Sequence, residues 1–147
     1  LTRNGNVVAR IANNILEFNY SGFGGKIITV PDKTTTIIGK QFDAAGGGTS
    51  EIIESGISKS GKNHGGINAL NETTPTHWND EDVWNNVNKP WLDRAIARND
   101  VIRAVSDPRN LDNLIDENGI RTGFGREVRH LEGAGYVFDP ITNTFRK

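Results

Sequence analysis

Residues 122–131 constrain the fold most. Thr122 stands where an N-cap would be, Phe124, Val128 and Leu131 recur at i, i+4 and i+7, and Gly133 and Gly135 follow as stops. Apolar residues at that spacing line one face of a helix and need a core to cover them. A threonine hydroxyl can accept a first-turn backbone N–H, and a glycine supplies the left-handed residue that closes the last turn. The pattern predicts a helix held by one apolar stripe. Arg126, Glu127, Arg129 and His130 are left on its other faces.

A chain of 147 residues fits one hydrophobic core, burying close to two thirds of the surface the unfolded chain exposes. Cysteine is absent, which excludes a disulfide framework, a thiolate zinc site and a cysteine nucleophile. Methionine is absent as well and Leu1 comes first, so the sequence reads as a processed or trimmed piece of a longer protein. No run of about 18 apolar residues and no signal segment occurs, which predicts no stable membrane association of the folded domain. The net charge of −1 is spread almost evenly along the chain. A partner made of nucleic acid would therefore have to be met by cations gathered locally.

Apolar positions from Val7 to Phe18 approach helical spacing and predict an N-terminal amphipathic helix, placing a helical segment and linker over residues 1–25 ahead of a domain over 26–147. Lys26–Val30 and Thr34–Ile38 are β-branched runs separated by Pro31-Asp32, so they predict a hairpin whose loop carries Asp32 and Lys33. Thr49 caps a short helix reaching Ser55, residues 56–66 read as a mobile loop, and Ile67–Leu70 reads as a short buried strand. Asn79 or Asp80 caps a helix beginning with the acidic Glu81-Asp82 pair, and Pro90 divides it from a second helical segment. Val83, Trp84, Val87 and Trp91 share a stripe. Val101–Val105 is a strand, Leu111, Leu114 and Ile115 make one helical turn, and Tyr136–Phe138 with Thr144-Phe145 form a terminal strand or hairpin. A small mixed, twisted sheet packed by several helices follows, in the α+β class and in a single domain.

Several segments, taken in order, resemble one known group. They are Thr34-Thr-Thr-Ile-Ile-Gly39, Gly65-Gly-Ile-Asn-Ala-Leu70, Trp84, and the run from Asn88 to Arg98 with Asp100. Thr122-Gly-Phe-Gly-Arg-Glu127, Leu131 and Gly135-Tyr136 complete the set, which spans roughly residues 34–140. The set resembles the variable C-terminal toxin domains of polymorphic bacterial toxins, carried on contact-dependent inhibition (CdiA-type) and Rhs proteins. That resemblance implies a tip exported on a large cell-surface protein, delivered into the cytoplasm of a neighbouring bacterium and neutralised by a cognate immunity protein. It implies a catalytic domain over 26–147 with a barnase-, EndoU-, colicin- or RelE-like fold, and a ribonuclease acting on tRNA or another RNA, with a host activating factor among the partners the family allows. No Val-Glu-Asn-Asn junction precedes it.

A ribonuclease working without metal or cofactor needs a base for the 2′-hydroxyl, an acid for the leaving oxygen, and cations on the phosphorane. The candidate catalytic residues are His130, Arg126, Thr122, Glu127, Lys33, Thr35 and His64, with His77 as a further imidazole. Lys40, Arg121, Arg129, Lys89 and Arg94 are candidates for holding substrate phosphate. Trp84 and Trp91 read as core, while Trp78 could stack a base. The bland reading makes Thr122 a cap, Arg126 with Glu127 a surface pair and His130 a solvated residue. Asp32, Lys33, Glu51 and Glu54 offer the alternative of a metal-dependent DNase, and a non-nuclease toxin binding a host protein or membrane is the third reading. Zinc deaminase, nucleophile-elbow and Walker signatures are absent.

Overall fold

Thr35–Ile38 is buried along its whole length. A strand with no solvated face belongs in the middle of a sheet covered on both sides. The computed structural model, which describes residues 2–3, 6–7, 9–12, 15–43, 47–55, 62–64, 66–70 and 72–147, with side chains from residue 15 onward except those of 62–64, puts it there.

In chain order the strands are β1 (Thr2–Arg3), β2 (Asn6–Val7), β3 (Ala9–Ala12), β4 (Ile15–Asn19), β5 (Lys26–Ile28), β6 (Thr35–Ile38), β7 (Lys62–His64), β8 (Ile67–Ala69), β9 (Val101–Ala104), β10 (Val137–Asp139) and β11 (Thr144–Arg146). The helices are α1 (Thr49–Glu54), α2 (Asp80–Val83), α3 (Lys89–Ala97), α4 (Leu111–Leu114) and α5 (Gly123–Gly133), with a π-helical turn, Trp84–Asn88, joining α2 to α3. The main sheet runs β10-β11-β9-β6-β8-β7, and β6 is parallel to both β8 and β9. Strands β3, β4 and β5 form a second, antiparallel sheet, and β1 pairs with β2. This is a single α+β domain with a mixed sheet.

Alternation along β6 divides the core. Ile37 joins Leu16, Phe18, Tyr20, Ile27, Ile52 and Ile67 beneath the small sheet and α1. Ile38 joins Trp91, Leu92, Ile102, Phe124, Val128, Leu131 and Phe145 beneath α3 and α5. Each such side chain contributes about 1.5–3 kcal/mol when fully buried.

Two expectations are corrected here. The described residues of 7–18 are strand and not helix: β3 and β4 pair with Ala12 opposite Ile15, and Leu16 and Phe18 point inward with period two. Burial in that alternation needs a strand, and it ties residues 16–20 into the core of residues 27–67. The Lys26–Ile38 hairpin does not form either. β5 pairs with β4, while β6 crosses into the main sheet because its neighbours are parallel strands on both sides. The turn between them holds Asp32 at φ 62. The expected loop at 56–66 lies largely outside the described residues, although 62–64 are strand.

The helical half follows its sequence signals closely. Asn79 accepts the Asp82 N–H while the Asp82 carboxylate accepts the Asn79 N–H, a reciprocal cap on α2. At the Pro90 kink, the Lys89 N–H reaches back to the Trp84 carbonyl. The wider π turn relieves the crowding that a proline ring imposes on the preceding turn. Thr122 accepts the Gly125 N–H and donates to the Asn113 carbonyl, fixing the start of α5 on α4. A Cβ on Gly125 would stand 2.1 Å from the Leu114 carbonyl oxygen, so only glycine permits that approach. Gly135, at φ 92, follows the end of α5.

Candidate functional site

Helix α5 carries two different surroundings one turn apart. Its outer face opens on a pocket of about 740 Å³ lined by Glu81, Trp84, Asp93, Ile96, Arg121, Arg126, Arg129 and His130. Three guanidiniums thus face two carboxylates and an imidazole.

The pocket is built by α5 packing across the α2–α3 unit. His130 Nε2 lies 2.6 Å from Asp93 Oδ1, and Lys89 Nζ lies 3.5 Å from the other oxygen of the same carboxylate. Trp84 meets the imidazole edge-on at 5.6 Å between ring centres. Partial burial pushes the Asp93 carboxyl up, but the hydrogen bond and charge of His130, with Lys89 behind them, outweigh it and hold the group below the usual range. An ionised Asp93 accepts the Nε2 hydrogen, so whenever the ring gives up a proton it is Nδ1 that is left as the acceptor. Asp93 therefore orients and tautomerises His130.

Arg126 donates from Nη1 to Glu81 Oε2 at 2.9 Å, and its hydrogen bond and charge hold the Glu81 carboxyl below its ordinary value. The Arg126 Nε is buried without a partner among the described residues. An unmet donor of that kind costs about 1–3 kcal/mol.

Behind the first turns of α5 lies a separate cavity of about 500 Å³ that collects Thr122, Lys40 and Glu127. Glu127 is 5% exposed and its carboxyl has no hydrogen-bond partner among the described residues, so burial alone pushes it up to about 8. The expectation that Glu127 sits on an outward face beside Arg126 is corrected: Arg126 pairs with Glu81, and Glu127 is buried on the cavity wall. Thr122 is a cap whose hydroxyl is used twice, by Gly125 and Asn113.

The remaining candidates lie elsewhere. Lys33 and Thr35 line a third groove, of about 780 Å³, with Lys26, Arg103 and Arg146. Thr35 is buried there with no partner for its hydroxyl among the described residues, while Thr36 donates to Asp100 at 2.9 Å within a buried network that links Asn68 and Trp91. Arg94 is exposed on α3, and His77 is exposed in the segment before α2. His64 ends β7, and its side chain lies outside the described residues. Asp32 and Lys33 occupy the turn before β6, whereas Glu51 accepts from Ser21 Oγ. Among the described residues no three His, Cys, Asp or Glu side chains converge as metal ligands. Nor is any helix among them long and apolar enough to cross a membrane.

No family model, curated protein or solved structure matches this chain. The functional reading therefore rests on the pocket itself. Sequence reasoning had gathered His130, Arg126, Arg121, Arg129 and Lys89 as candidates. It missed the roles of Asp93, Glu81 and Trp84. Asp93 stands 37 positions before His130, on another helix, and no local spacing connects them.

Proposed function

We propose that this domain is an endoribonuclease that cleaves RNA without a metal ion, with tRNA as its substrate. The observation that carries the reading is the His130–Asp93 pair in one open pocket with Arg121, Arg126 and Arg129. Neutral His130 accepts the proton of a ribose 2′-hydroxyl as that oxygen attacks the adjacent phosphorus. The bond to the 5′ oxygen breaks, giving a 2′,3′-cyclic phosphate and a 5′-hydroxyl end, and the departing oxygen takes a proton from water. Asp93 steadies the imidazolium that forms. The arginines neutralise the extra charge on the phosphorane, where donors fixed before the reaction are most effective. Trp84 buttresses the imidazole.

The biological setting follows the resemblance given above. We read the domain as an interbacterial toxin, exported as the tip of a large surface protein, active in the target cytoplasm and neutralised by a cognate immunity protein that masks the pocket. The test is induction of the domain in bacterial cytoplasm without that partner, with total RNA and genomic DNA run on gels and a matched purified assay with and without chelator. Shortened tRNA, intact DNA and indifference to chelator are expected. Growth arrest with every nucleic acid intact would remove the nuclease reading, and loss of activity in chelator would favour a metal-dependent enzyme.

A further inference from the structure

The cavity behind α5 is a built site that the chemistry of His130 leaves unused. It has an apolar floor, including Trp91 and Phe124, and a wall on which Lys40, Gln41, Thr74, Asn88 and Glu127 offer polar groups. Such a composition suits a flat, partly apolar ligand fixed by a small number of hydrogen bonds. Phe42 stands at its mouth, 68% exposed, which is a costly position for an aromatic ring that covers nothing. Lys40 and Asn88 lie on the wall, and of the two carboxyls that line it, Glu72 is exposed whereas Glu127 is nearly fully buried with no ion-pair or hydrogen-bond partner among the described residues.

We propose that this cavity receives a nucleobase of the RNA, with Phe42 stacking on its face and the carboxyl of Glu127 pairing with the amidine edge of adenine. The proposal rests on the ribonuclease reading for the identity of the ligand. Its geometry is independent of that reading, since the cavity and the His130 pocket lie on different sides of α5. Glu127 precedes His130 by three residues, within one turn of α5, so the two pockets are close enough for one RNA strand to meet both. A protonated carboxyl offers an O–H donor beside a C=O acceptor. Adenine answers with a ring-nitrogen acceptor beside an amino donor, and a ring nitrogen is a stronger acceptor for that O–H than the lactam oxygen of guanine. An ionised carboxylate offers acceptors only, so it would instead suit the adjacent N–H donors of guanine.

The state of Glu127 is therefore the selector. The only other titratable side chains lining the cavity, among the described residues, are Lys40 and Glu72. Burial is the sole cause holding the Glu127 proton on, up to about pH 8.

The test is NMR titration of the isotope-labelled domain with adenosine 5′-monophosphate and, separately, guanosine 5′-monophosphate at pH 6.5 and pH 9. Wild-type protein should bind the adenine nucleotide more tightly at pH 6.5, with shifts at Phe42, Asn88 and Glu127. That affinity should fall toward tenfold for each pH unit above the carboxyl's titration. Glu127→Gln keeps a donor beside an acceptor at every pH, so its adenine binding should persist at pH 9. Absence of shifts at these residues with either nucleotide would overturn the proposal, as would adenine binding that is equally pH-independent in both proteins. Cleaved RNA with an unresponsive cavity would sink this inference alone. An adenine-binding cavity in a domain that leaves RNA intact would sink the nuclease reading instead.

Discussion

The two sides of α5 show how one helix holds charge in two ways. On the outer side Glu81 and Asp93 each have a cation or an imidazole within 3.5 Å, and the two carboxylates stay about half in water. On the inner side Glu127 has no such partner and almost no water. Paired, solvated charges cost little and contribute little to stability, so their arrangement is free to be set by chemistry. A lone carboxyl in a low-dielectric cavity destabilises the fold whenever it ionises, so it stays protonated through neutral pH. The first arrangement suits proton transfer and phosphate; the second suits recognition.

The largest effect that separates the two sides is on catalysis. His130→Ala should lower RNA cleavage by about 10²–10⁴-fold, and Arg126→Ala by about 10²–10³-fold, with thermal melting close to wild type for both. A fully active, normally folded double variant would remove the outer pocket from the mechanism.

Next comes Glu127→Gln, read as stability against pH. The folded carboxyl titrates at about 8 against an ordinary 4.5, so the native state binds the extra proton between those values. The stability that this one carboxyl contributes should be fully present below about pH 4.5, fall as pH rises toward 8, and then level off. The variant should show no such fall and should exceed wild type at pH 9 by roughly 2–4 kcal/mol in urea unfolding. Parallel curves for the two proteins would show that the inner carboxyl is solvated.

A smaller effect is expected at Asp93. Asp93→Asn removes the charge that orients His130 and should slow cleavage by about tenfold or more, less than the loss of His130 itself. A shift in the pH–rate profile should distinguish this from a change in folding. Because the Asp93 carboxyl is held low, the stability it contributes is present above the ordinary aspartate range and lost as pH falls through its lowered value. Lys89→Ala should do least. Its ammonium is 46% exposed and 3.5 Å from Asp93, so stability should change by less than about 1 kcal/mol, with a modest rise in KM for RNA.

Much of the helical half is legible in the sequence because its signals are local. Thr122, the Phe124–Val128–Leu131 stripe, the acidic start after Asn79 and the position of Pro90 each act within a turn or two. The N-terminal hairpin is not, because Val7–Phe18 satisfies a helical template and a strand template at once. The central place of β6 was equally hidden, because its parallel partners come from residues 67 and 101. Four of the pocket's cationic and imidazole groups could be guessed from one charged cluster, Arg121 to His130. The carboxylates that organise them come from α2 and α3, and only tertiary packing brings Glu81 and Asp93 there.

The most direct test of the account is cleavage of purified tRNA by wild-type and His130→Ala protein in chelator, with analysis of the new ends. The account predicts discrete fragments bearing 2′,3′-cyclic phosphate and 5′-hydroxyl termini from the wild type, and a loss of about 10²-fold or more in the variant. Equal cleavage by both proteins, or intact tRNA with both, would contradict it.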